Sequence, residues 1–162
     1  MTNMKQIKSL DKYYNTAILL FAITPFIYLF YSYMGAIKTG ASFQQIIQQN
    51  PGNIVVLLIA MINPFIGYLL IFMNKRIQKG DIAYAVVNLS VLIIAQLILK
   101  NQLYLILLGL LLFKTLKTYN VSLIDCFKNK WNKKFFVTIS GGIVVLTLVG
   151  ICLFATIRIS TP

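Results

Sequence analysis

The sequence predicts an all-α integral membrane protein, a bundle of about five transmembrane helices with two short amphipathic interfacial helices. Three observations predict it. Charged residues make up 11% of the chain, less than half of the roughly 25% in an ordinary soluble domain. That leaves too little polar material for a solvated shell, and mean hydropathy is +0.81. Second, the apolar residues fall in five runs, most of them close to the ~20 residues needed to cross ~30 Å of hydrocarbon. Third, the lysines and arginines lie between those runs and favour alternate loops. The 162 residues read as a single transmembrane helical domain, 1–162.

The first span covers about 14–37, behind Lys5, Lys8 and Lys12. Its apolar run is long and no A-x-A-like site ends it, so an uncleaved anchor is expected rather than a removable signal peptide. Next, Ser42 to Gln49 reads SFQQIIQQ. Phe43, Ile46 and Ile47 share one helical face and glutamines take the other, which predicts a short amphipathic helix. Asn50-Pro51-Gly52 is expected to end it. The second and third spans cover about 53–73 and 82–99. The fourth covers about 102–118, but its charge-free run stops at Phe113. Lys114 and Lys117 must then carry their ammonium groups to the interface, and a shallow re-entrant hairpin is the alternative. Ser122 to Lys134 reads SLIDCFKNKWNKK. Ser122 and Asp125 resemble a capping box, and Leu123, Ile124, Phe127 and Trp131 fall within about a 100° arc. The fifth span covers about 135–157.

Charge gives the orientation. With the N-terminus in the cytoplasm, the inner segments hold Lys5, Lys8, Lys12, Lys75, Arg76, Lys79, Lys114, Lys117, Lys128, Lys130, Lys133 and Lys134. The outer segments hold Lys38, Lys100 and Arg158. Twelve against three predicts a cytoplasmic N-terminus and an extracytoplasmic C-terminus in the cell membrane. A re-entrant fourth segment would put the lysine-rich loop outside and erase that bias. Tyr13, Tyr14, Tyr84, Tyr119 and Trp131 are expected as an inner aromatic belt, and Tyr31, Tyr33 and Tyr104 as an outer one. The net charge of +12 is explained by orientation, so no nucleic-acid partner is expected.

One motif occurs twice. ITPFI at 23–27 and INPFI at 62–66 place a polar residue and a proline about ten residues into two neighbouring spans. Proline removes a helical hydrogen bond, and lipid offers no substitute donor. The Thr24 hydroxyl and the Asn63 amide are expected to compensate, giving a matched pair of kinks at Pro25 and Pro64. Ala60, Pro64 and Gly67 make a small-residue stripe beside Asn63, and Ala85, Asn88, Leu92, Ala95 and Gln96 share one face of the third span. These two faces are expected to pack together through their amides, with Asn63 between Asn88 and Gln96 in depth. The bland reading of Thr24, Pro25, Asn63, Pro64, Asn88 and Gln96 is helix packing. The sharper one is a midplane polar site built from broken helices, as in transporters. Ser140-Gly141-Gly142 and Gly150 offer another close-approach surface.

Catalytic chemistry has little to work with. Histidine is absent, and the acids are Asp11, Asp81 and Asp125, none at a span centre. The two cysteines form no metal-binding pattern, so neither metal nor cofactor is expected, and no enzyme. The Lys, Asn and Ile richness points to an AT-rich, bacterial genome. The expected function is a small accessory, regulatory or immunity-type membrane protein working through helix packing and a membrane-protein partner or homo-oligomer. The alternative is a small channel or transporter subunit using the midplane site. Phe43, Ile46 and Ile47 outside, with Phe127, Lys128, Lys130, Trp131, Lys133 and Lys134 inside, are the candidate lipid or partner surfaces. The inner group is suited to an anionic leaflet.

Overall fold

The computed structural model describes residues 4–40, 42, 44–45, 51–131 and 135–160. Six helices are defined among them, and no strands. They are α1 (Met4–Thr39), α2 (Pro51–Gln78), α3 (Ile82–Ile98), α4 (Gln102–Tyr119), α5 (Leu123–Lys130) and α6 (Phe135–Ser160). Helices α1, α2, α4 and α6 are long and apolar enough to cross a membrane, while α3 is a shorter apolar helix. The expected spans therefore correspond to five helices, of which four reach spanning length by themselves.

The boundaries follow local chemistry. α1 begins ten residues before the expected span because Leu10, Tyr14, Ala17 and Phe21 are all buried, a spacing of three and four that lays one stripe against the bundle. Pro51 opens α2, where its missing N–H costs nothing, instead of only ending the helix before it. Gly80 closes α2 with φ +86, a left-handed conformation that glycine adopts without strain. Its turn is fixed by Gly80 N–H donating to Ile77 O and Asp81 N–H to Arg76 O, each at 2.9 Å. The Asp81 carboxylate then caps α3 by accepting from Tyr84 N–H at 3.2 Å. Ser122 stands at the N-cap of α5, but its side chain makes no capping bond. A capping box wants Glu or Gln three residues on, and Asp125 is a methylene too short. The box does form at Ser42, where the Ser42 N–H donates to Gln45 Oε1 at 2.8 Å and Gln45 N–H donates to Ser42 Oγ at 3.2 Å. Phe43, Ile46 and Ile47, the apolar face expected there, lie outside the described residues, as do Lys133 and Lys134.

Helix contacts close a circuit from α1 to α2, α6, α3, α4 and back to α1, and an α2–α3 contact crosses it. The crossing divides the bundle into a three-helix part (α2, α3, α6) and a four-helix part (α1, α2, α3, α4). The short α3 is the central element, with Ala85, Val86, Val87, Asn88 and Leu89 all buried in succession. α4 is one uninterrupted helix that runs antiparallel to α1, as the Tyr14–Thr115 and Thr24–Tyr104 pairs show. It does not fold back as the hairpin alternative required. Lys114 and Lys117 lay their ammonium groups over the rings of Tyr13 and Phe113.

Candidate functional site

The two proline motifs lie side by side. A Cβ on Gly67 of α2 would stand 3.4 Å from the Ile18 carbonyl oxygen and from Phe21 Cβ of α1. Counting back along α2 and forward along α1 at ~1.5 Å per residue, Asn63 and Pro64 come roughly level with Thr24 and Pro25. The small-residue stripe of α2 thus serves α1, not α3 as expected. Neither helix is broken, for both prolines sit inside continuous α-helix, so the broken-helix design does not hold. Pro25 gives no N–H to the Phe21 carbonyl, and Pro64 gives none to Ala60.

The compensating groups behave differently from one another. The Thr24 hydroxyl is within 2.9 Å of the Leu20 carbonyl, one residue short of the carbonyl that Pro25 releases. It also pairs with the Tyr104 hydroxyl of α4. Tyr104 is half-buried and stacks on Phe21 with ring centroids 4.5 Å apart, so this tyrosine packs against α1. Tyr14, expected at the inner belt, is fully buried, its hydroxyl 3.4 Å from Thr115 Oγ1. Sequence reasoning missed the pairing of Tyr104 with Thr24 and the buried Thr115 and Asn74. For Tyr14 the signal was available in the α1 stripe.

Asn88 and Gln96 separate. The Asn88 amide donates to Tyr84 O and to Thr138 O of α6, both at 2.9 Å. A Cβ on Gly141 would fall 2.5 Å from Leu69 Cδ2 of α2, and one on Gly142 2.7 Å from Val91 Cγ1 of α3. α6 is therefore seated in the groove between α2 and α3 by two adjacent glycines, and Asn88 is bonded into that seam. The expected Asn63–Asn88 partnership is absent because α6 occupies the place. Gly150 has open space around it and is no close-approach surface.

Leu69 and Val91, facing neighbouring glycines, define one level. Asn63 lies six residues beyond Leu69 and Gln96 five beyond Val91, about 9 and 8 Å along their helices. The two amides are thus level with each other, whereas the sequence places Asn63 between Asn88 and Gln96 in depth. At 100° per residue, Asn63 lies about 40° from Gly67, which faces α1. Gln96 lies about 140° from Val91, which faces α6. Both turn toward the four-helix part. Asn63 is 1% exposed and Gln96 0%, and neither amide has a hydrogen-bond partner on its oxygen or its nitrogen.

α5 forms a second surface at the lysine-rich end. Cys126 is its one buried residue, packed with Ala83 and Val86 of α3. Burial and then the neighbouring Asp125 carboxylate push the Cys126 thiol pKa up. The Lys130 ammonium lies 2.8 Å from Asp81 Oδ1, so Lys130 clamps α5 to the α2–α3 turn instead of belonging to the free face. That face carries Ile124 at 65% and Trp131 at 72% exposure. With Leu123, Phe127 and Lys128 they line a shallow groove of about 300 Å³.

Comparison with known protein families, curated proteins and solved structures finds no match to this chain.

Proposed function

We propose that the chain is a small multi-pass protein of the cell membrane that acts without catalysis as an accessory, regulatory or immunity-type partner of another membrane protein. In this reading five helices cross, the lysine-rich end with α5 is cytoplasmic, and the C-terminus is extracytoplasmic. The observation that carries it is the distribution of polarity. The bundle's outer surface presents Phe26, Phe30, Tyr31, Phe65, Tyr68, Ile106, Phe113 and Phe154, all more than half exposed, while Asn63, Asn74, Asn88 and Gln96 are buried. Such a girdle exceeds the apolar patches that water tolerates on a monomer and suits lipid or the helices of a partner. The buried polar side chains described are amides and hydroxyls, which hold helices together without offering acid–base chemistry. α3 is about 25 Å long, and the turns at its two ends carry it to the interfaces. The exposed apolar face of α5, with Lys128 beside it, fits an anionic leaflet.

The test is in-cell crosslinking followed by purification in mild detergent, with co-purifying proteins identified. A stoichiometric foreign membrane protein is expected. Recovery of the chain alone or as a homo-oligomer would overturn the accessory role. The unpartnered Asn63 and Gln96 favour the second reading, a channel or transporter subunit. There, liposome flux should disappear on replacing Asn63 and Asn88 by Leu.

A further inference from the structure

The four-helix part carries unused hydrogen-bonding capacity at a single level. Asn63 and Gln96 together offer two carbonyl oxygens and two NH2 groups with no protein partner. Pro25 and Pro64 withhold the N–H groups that would ordinarily bond the Phe21 and Ala60 carbonyls. Each buried group of this kind left unpaired costs about 1–3 kcal/mol, so a fold that gathers several at one level needs something there to bond them. The arrangement differs from the amide seam at Asn88, where the NH2 is spent on two carbonyls and only the oxygen is without a partner.

We propose that Asn63 and Gln96 form an internal binding site for a small neutral ligand that both donates and accepts hydrogen bonds, and that the ligand is water. The donor set decides the class. A monovalent cation would use the oxygens but leave both NH2 groups unpaired, and an anion would do the reverse. Water donates two bonds and accepts two, and buried waters typically make about three to groups otherwise unsatisfied. The paired ITPFI and INPFI motifs then have a shared purpose, since each releases a carbonyl at the level where an amide waits. The site goes beyond the accessory reading and does not depend on it.

The experiment uses the full chain in detergent micelles, with solvent water as the probe. Magnetisation transfer from water to the side-chain NH2 protons is read by NMR in nitrogen-15-labelled protein, with Asn63→Leu and Gln96→Met assigning the signals. Transfer to both the Asn63 and Gln96 groups is expected, and the Asn88 NH2 serves as the bonded reference. A double-mutant cycle supplies the second readout. The two replacements should be non-additive by about fivefold in the unfolding equilibrium, the factor for residues sharing a partner. Exchange-protected NH2 groups without water transfer would overturn the proposal, and so would additive replacements. The wild-type spectrum decides even if a variant fails to fold.

Discussion

The three-helix seam and the four-helix level bury the same chemical group and use it differently. At the seam, Gly141 and Gly142 bring α6 against Leu69 and Val91, and Asn88 joins α3 to α6 through the Thr138 carbonyl. Six or so residues farther along, Asn63 and Gln96 are as deeply buried yet bonded to nothing in the protein. The difference teaches that a buried amide in an apolar bundle is not by itself evidence of helix glue. What matters is whether a group such as the Thr138 carbonyl stands within reach to answer it.

The seam should break most severely. Gly142→Val puts a branched side chain where a Cβ alone would meet Val91 Cγ1 at 2.7 Å. We expect a loss of about 3 kcal/mol, the upper range for overpacking, read as a fall in the detergent unfolding midpoint. Asn88→Leu should cost about 1 kcal/mol, because it removes a bond across helices. The Asn63→Leu, Gln96→Met double variant should be nearly neutral, since removing all members of a polar set avoids stranding any of them. If Asn88→Leu were the neutral change and the double variant the costly one, the two regions would have exchanged roles. Thr24→Val should cost about 0.6 kcal/mol, a typical membrane interhelical hydrogen bond. It removes the Tyr104 pairing while the Phe21–Tyr104 stack remains. Lys130→Ala is expected to cost less than Thr24→Val, about 0.3 kcal/mol, because its bridge to Asp81 is partly exposed and solvent-screened.

The helices of both regions were legible in the sequence, but their partners were not. Apolar runs and the lysines between them locate α2, α3, α4 and α6 within a few residues, because hydrocarbon thickness dictates length. The early start of α1 was encoded in the Leu10, Tyr14, Ala17 and Phe21 stripe, which the surrounding lysines disguise as a solvated segment. Which small-residue face meets which helix was not encoded locally. Gly67 suits α1 as well as α3, and only the insertion of α6 between α2 and α3 decides the matter. Asn63 and Gln96 stood out as polar residues in apolar runs, yet their common level depends on the turn at Gly80 and on α6 setting the register. The Lys130–Asp81 clamp joins residues far apart in sequence, and a charge count assigns both only to the same end.

The polarity of both regions has meaning only if lipid surrounds the bundle with the lysine-rich end in the cytoplasm. Placement is measured directly by single cysteines in a background with Cys126 and Cys152 replaced by alanine. Thr39→Cys and Gln102→Cys mark one end, and Gln78→Cys and Asn129→Cys mark the other, all at exposed positions. A membrane-impermeant maleimide applied to intact cells should label the first pair at once and the second pair only after permeabilisation. Labelling of Asn129→Cys in intact cells, or equal labelling of all four, would contradict the account.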